Sequence, residues 1–270
     1  MGVGAGRLRA LLPAMLLCAA TVPARAETIS IGFAPPVDRD LLYHIEQVRP
    51  IAGQDRRFVS ERRLRFERAG DGYILHMTLS RIDSDAPPDM AAAYMAALSP
   101  LLGVTHDFRV DSNGRITALD NLDAVWAKAR VGLDRMAARE KPDSARGRAV
   151  RNVLALFDAL AADARIDLLA GEVRPMLLFA SAVVEDGAGR GVSTVAGAPL
   201  GRPVPVKGSV AVVGRDGDAL DIAENLAGEG VIVAMRYRVS ARTGLIERQD
   251  RALKLGAVEL RERRTIAPAL

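Results

Sequence analysis

Tyr73 to Ile82 alternates, with Tyr73, Leu75, Met77 and Leu79 in one phase and His76, Thr78 and Ser80 in the other. Successive strand side chains point to opposite faces, so this period of two predicts a strand with one apolar and one wet face. The pattern recurs. Leu41 to Val48 places Leu41, Tyr43 and Ile45 against His44 and Glu46, and Phe58 to Arg68 carries Leu64 and Phe66 on its apolar side. Ala69-Gly70-Asp71-Gly72 supplies the positive-φ residues of a hairpin turn between the last two of these three strands. An antiparallel meander follows.

The next stretch changes period. Asp85-Ala-Pro-Pro-Asp89 opens an alanine-rich helix closed by Ser99-Pro100. A hairpin intervenes, with His106, Phe108 and Val110 leading through Asp111-Ser112-Asn113-Gly114 to Ile116. Leu122, Val125, Trp126, Ala129, Leu133 and Met136 then share one helical stripe behind Asp120 and Asp123. A second helix, starting near Asp143-Ser144, is expected to bury Val150, Val153, Leu154, Phe157 and Leu160. Two amphipathic helices need an apolar surface, and the meander offers one. Residues 185–203, dense in glycine and small residues, read as a loop.

Strands then return at Val204–Val213, Leu220–Leu226, Val231–Val239, Leu245–Leu255 and Ala257–Ile266. The expected fold is α+β: a curved, largely antiparallel sheet, half-barrel-like, covered by amphipathic helices. Residues 27–270 are taken as a single domain, with strands over 41–82, the hairpin and helices over 89–181, and strands over 204–266. Phe108-Arg-Val-Asp-Ser-Asn-Gly114-Arg-Ile also echoes Tyr237-Arg-Val-Ser-Ala-Arg-Thr-Gly244-Leu-Ile, with one extra turn residue in the second copy.

The N-terminus points to export. Arg7 and Arg9 precede the apolar run Leu11–Val22, and Ala24-Arg25-Ala26 presents a signal-peptidase site. The run is too short to span a membrane, which takes about 20 residues. Residues 1–26 are therefore expected to be a cleavable signal, and the product to be soluble and periplasmic. The chain holds 37 Lys+Arg against 33 Asp+Glu, and loss of Arg7, Arg9 and Arg25 leaves 34 against 33. A near-neutral product argues against nucleic acid as partner, and the Arg-rich segment 56–68 is expected to be a solvated strand face. Cys18 leaves with the signal, so no thiol or disulfide chemistry remains.

No motif for chemistry stands out. His44, His76 and His106 lack any metal-knuckle spacing. Residues 109–120 can be laid on a calcium loop, but its first ligand position would be Arg109, so a hairpin is the better reading. Gly187-Ala-Gly189-Arg-Gly191 has no G-K-[ST] ending, and neither G-x-S-x-G nor S-x-x-K occurs. No cofactor is implied.

The layout of meander, hairpin, amphipathic helices and second meander resembles the half-barrel of bacterial periplasmic lipoprotein carriers. Its ending, Tyr237 to Ile266 with Arg242-Thr243-Gly244-Leu245 between strands, is similar to exported bacterial families of unknown function. The first resemblance implies acyl chains held between sheet and helices, with no catalytic residue to carry over. The leading expectation is a non-enzymatic binder of an apolar or amphipathic ligand, with Tyr43, Phe66, Leu75, Met77, Met235 and Tyr237 as candidate wall. A filled core would use the same residues. The alternatives are an adaptor meeting an envelope protein through an edge strand or the glycine-rich loop, and then a hydrolase without a recognisable motif. Intact-mass or N-terminal sequencing of the exported protein is expected to start at Glu27; a product retaining Leu11–Val22 would contradict the export reading.

Overall fold

The computed structural model describes residues 27–141, 143–187, 189–196 and 203–269. The signal reading of 1–26 and the tip of the glycine-rich segment lie outside them. In chain order the elements are β1 (Thr28–Ser30), β2 (Asp40–Ile51), β3 (Gln54–Ala69), β4 (Gly72–Ser84), α1 (Pro88–Leu98), β5 (Thr105–Val110) and β6 (Ile116–Leu119). Three helices follow, α2 (Leu122–Ala137), α3 (Ala145–Asp158) and α4 (Ala162–Ala170), and then β7 (Val183–Glu185) and β8 (Arg190–Ala196). The chain ends with β9 (Val204–Asp216), β10 (Ala219–Gly228), β11 (Val231–Ser240), β12 (Ile246–Leu255) and β13 (Val258–Pro268).

The fold is α+β, with a large, curved, open antiparallel sheet. Eleven strands run in the order β6-β5-β4-β3-β2-β13-β12-β11-β10-β9-β8. The two meanders are thus one sheet, sewn together where the last strand pairs antiparallel with β2, Ile266 opposite Tyr43 and Arg264 opposite Ile45. Inward residues of the N-terminal half, among them Tyr43, Leu64, Phe66, Leu75, Met77 and Phe108, form the main core with Val125, Val173 and Met176. A second cluster joins Ile222, Tyr237, Val239 and Ile246 to Ile31 and Phe179. A third joins Val206, Leu226, Val231 and Val233 toward the far end of the C-terminal half.

The helices depart from expectation in one respect. Val125 of α2 reaches the sheet core, but α3 packs on α2 instead, Phe157 stacking on Trp126 at 3.7 Å. Val150, Val153, Leu154, Phe157 and Leu160 are accordingly only half-buried. One helix and the short α4 already cover the inner face at that point, so a further helix finds only a helix to sit on. The segment read as a loop also contains β8, which pairs with β9 from Arg190↔Val210 to Ala196↔Val204. An edge strand is paired on one side only, so a weakly alternating sequence suffices to form it.

The two echoing hairpins share more than sequence. Both carry a β-bulge at the same place, between Arg109 and Val110 and between Arg238 and Val239. Both turn at a positive-φ glycine, Gly114 (φ 83) and Gly244 (φ 72). Both glycines press on one residue: a Cβ on Gly114 would lie 2.3 Å from Ala180 Cβ, and one on Gly244 would lie 3.2 Å from Ala180 Cα. Ala180 belongs to the segment crossing the concave face, so one hairpin from each half grips that segment. Gly103, also at positive φ (73), has nothing within 4 Å of such a Cβ among the described residues. Gly114→Ala is therefore expected to destabilise by about 1–3 kcal/mol, and by more than Gly103→Ala, in denaturant titrations. Equal losses would mean that backbone strain alone acts and the grip on Ala180 is not tight.

Candidate functional site

The concave face is divided at the β2–β13 seam. On the N-terminal side it is filled: Tyr43, Phe66, Leu75 and Met77 are at most 2% exposed. These four candidate wall residues sit together in the main core. Tyr237 lies apart from them, 4% exposed in the second cluster. Met235 is half-buried and packs against both the second and third clusters.

What covers the C-terminal half is thin. β1 and β7 pair as a two-stranded ribbon, and Ile31 N–H donates to the Ala182 carbonyl at 2.8 Å. Beneath this cover runs a groove of about 280 Å³. One wall is Leu178, Phe179, Ala182, Val183 and Val184; the other is the inner face of three strands, Val192 of β8, Val210 and Val212 of β9, and Ile222 of β10. Leu178 and Val183 are 57% and 61% exposed, so the rim is apolar as well. Polar groups are few: Arg190 and Glu185 toward the edge, and Glu224 toward the sheet centre. A mostly apolar concavity with a few placed polar groups is the usual constitution of a small-molecule site.

Glu224 is held by a neighbour. The Tyr237 hydroxyl donates to Glu224 Oε2 at 2.8 Å, while Phe179 meets the Tyr237 ring edge-on with centroids 5.1 Å apart. Burial, reinforced by the Glu224 carboxylate, raises the Tyr237 pKa well above that of free tyrosine. Tyr237 thus backs the groove and fixes its carboxylate.

A polar belt that the alternation pattern left unnoticed crosses the same face at the seam. Arg62, in the inward phase of β3 between Ser60 and Leu64, is 2% exposed. It donates to Ser60 Oγ at 2.8 Å and pairs with the Glu172 carboxylate. The segment 56–68 is therefore not wholly a solvated face. Arg264 of β13 donates to the Glu172 carbonyl at 2.7 Å, to Tyr43 Oη at 3.1 Å and to Glu262 Oε1 at 2.7 Å. Gln47 donates to the other Glu262 oxygen at 2.7 Å. Burial opposes ionisation of Glu262, but Arg264 and Gln47 outweigh it and its pKa lies below the ordinary glutamate value. Residues of this kind are legible when polar side chains are sought in the apolar phase of a strand.

The remaining sequence candidates are dispersed. His44 and His76 lie on the outer face beside Glu61 and Asp107, at 3.3 Å and 2.7 Å, and His106 is buried on the inner face. Burial lowers the His106 pKa. Among the described residues no three of His, Cys, Asp and Glu are grouped as a metal would require. Asp111 Oδ1 accepts the backbone N–H groups of Asn113 and Arg115, both at 2.9 Å, so the calcium-like stretch is a hairpin turn.

No protein-family model matches this chain, and no curated protein matches it in sequence. The resemblance to periplasmic lipoprotein carriers thus has no support from sequence comparison. A solved structure described as lipid–protein interactions in lipovitellin is similar to 88% of this chain at a TM-score of 0.41 and 10% identity. The chain corresponds to 26% of the length of that structure.

The raised Tyr237 pKa has a consequence for stability. The unfolded chain loses the tyrosine proton near pH 10, whereas the folded protein keeps it, so the contribution is complete below about pH 10 and falls as pH rises beyond it. Thermal melts from about pH 9 to about pH 11 are expected to decline less steeply for Tyr237→Phe than for the wild type. Parallel declines would show that Tyr237 ionises freely in the folded state.

Proposed function

We propose that the protein is an exported, non-enzymatic carrier of an apolar or amphipathic ligand, held under the cover on the C-terminal half of the concave face. The observation that supports this most is the groove between residues 178–184 and β8–β10, open and apolar beside a fully packed core. Its volume, about 280 Å³, lies near the lower end of small-molecule sites, which suits one chain better than several. Half-buried Met235 stands opposite Glu224 of the groove and is an adaptable apolar residue. Export rests on Arg7, Arg9, the Leu11–Val22 run and Ala24-Arg25-Ala26. No helix among the described residues is long and apolar enough to cross a membrane.

A second reading has its own observation. β8 is an edge of the sheet, and its Val195 is 58% exposed. An extended segment of an envelope partner could add to that edge. The two readings differ in what fills the groove.

The carrier reading predicts that the purified, delipidated protein takes up an apolar fluorescent probe such as N-phenylnaphthylamine. Palmitate at a hundred times its dissociation constant should add about 2.7 kcal/mol of stability, because it binds only the folded form. Val192→Trp and Val210→Trp, which fill the groove from its outer strands, should abolish uptake while leaving the fold intact. Met235→Ala should weaken uptake. Met77→Ala should instead cost about 2–5 kcal/mol as a core truncation that ligand does not rescue. Absence of uptake by the wild type, or undiminished uptake by both tryptophan variants, would favour the adaptor.

A further inference from the structure

Beyond the groove, the concave face opens into a trough of about 340 Å³ at the sheet centre, lined on its inward side by Gln47, Arg49, Arg251, Leu253, Leu260 and Glu262. Its position follows from the strand register. Leu253 stands opposite Leu260, and Arg251 opposite Glu262 on one side and Met235 on the other. Met235 in turn stands opposite Glu224 of the groove. Neighbouring strands are about 4.8 Å apart, so Glu224 and Arg251 are separated by about two strand spacings with only Met235 between them. Groove and trough adjoin on one face.

The charges of the trough do not cancel. Its carboxylate, Glu262, is already matched by Arg264 and Gln47, and Glu224 accepts from Tyr237. Arg251 is half-buried, and among the described residues it closes no hydrogen bond or ion pair, although its charge is felt at Glu262. Arg49 lies over the Phe58 ring at 5.1 Å and, among the described residues, donates only to the neutral Gln47, at 2.6 Å. Directly opposite Arg49 on β3 stands Arg56, which donates to the Asp85 carbonyl at 3.3 Å and to Gln54, while its Nε has no partner among the described residues. Like charges facing each other across strands are unfavourable, and an anion beside Arg49 and Arg251 relieves that repulsion.

We propose that this trough binds the oxyanion head of a single-chain amphiphile, Arg251 and Arg49 grasping the head and Leu253 and Leu260 carrying the first part of the chain. The inference deepens the carrier reading and rests on it. Guanidinium groups are suited to carboxylate and phosphate alike, because both present oxygens that accept parallel N–H donors. The head chemistry is therefore a compact oxyanion, and free fatty acids and monoalkyl phosphates are its two sources.

The test is calorimetric titration of the full-length mature protein with palmitate, hexadecyl phosphate and hexadecanol, each below its aggregation concentration. One or both anions should bind at least about ten-fold more tightly than the alcohol, as one charge-assisted contact implies. Arg49→Gln/Arg251→Gln should bring anion affinity down to that of the alcohol and leave alcohol binding unchanged, with an unaltered melting temperature showing that the fold is kept. Arg49→Lys/Arg251→Lys should retain part of the preference. Which anion prevails separates the two sources. Equal binding of alcohol and anions by the wild type, or a preference that survives the double glutamine change, overturns this inference alone. No binding of any of the three overturns it together with the carrier reading.

Discussion

The fold turns on the pairing of its last strand with β2. The C-terminal meander runs back to lay β13 beside β2, and this makes one sheet of two that would each carry another free edge. Arg264 sits on that seam. Its guanidinium contacts Tyr43 on the neighbouring strand, Glu262 two residues away on its own, and the backbone of Glu172 in the covering layer. Burying a guanidinium is unfavourable unless its donors are satisfied, and here three acceptors meet it. The same Glu172 takes Arg62 on its carboxylate. Sheet, seam and cover are thereby joined at one node, and removal of a single partner would leave a buried charge uncompensated.

From that node the covering chain is led in a fixed direction. Val173, Met176 and Leu177 fill the main core, and Phe179 enters the second cluster against Tyr237. Ala180, the next residue, is gripped by the tips of the echoing hairpins. Ile31 and Phe33 make the same crossing from the N-terminal side, with Phe33 edge-on to Phe66 and Tyr73. Two extended segments cover less surface than helices do. The N-terminal half, with α2 and α4 over it, is closed, whereas the C-terminal half keeps an apolar groove and a charged trough lies across the seam.

Much of this architecture was legible. Period-two alternation and the turn residues between runs located the long strands of both meanders, and Asn113-Gly114 marked a hairpin whose glycine does take positive φ. The short β8 was missed because a strand paired on one edge, among Gly187, Gly189 and Gly191, needs little alternation to form. The role of α3 was misread because an apolar stripe states that something is covered, not what; Trp126 offered Phe157 a partner before the sheet did. Of the candidate wall, Tyr43, Phe66, Leu75, Met77 and Tyr237 are buried in core clusters, and Met235 is half-buried between two of them. Inward phase was read correctly for all six, but filling depends on what the other layer brings, which a strand pattern does not encode. The more informative residues were the polar ones in the inward phase: Arg62, Arg251 and Arg264 share the phase of apolar neighbours and mark where the concave face turns from packed to polar.

On the proposed carrier reading, the concave face, and not the helical layer, receives an amphiphile. Photocrosslinking with a diazirine-bearing palmitate, followed by peptide mapping, tests it most directly. Adducts are expected on the covering segment 178–185, on Val192 or Val210, and on the strand segments around Leu253 and Leu260. Adducts confined to α3 or to the outer face of the sheet would contradict it.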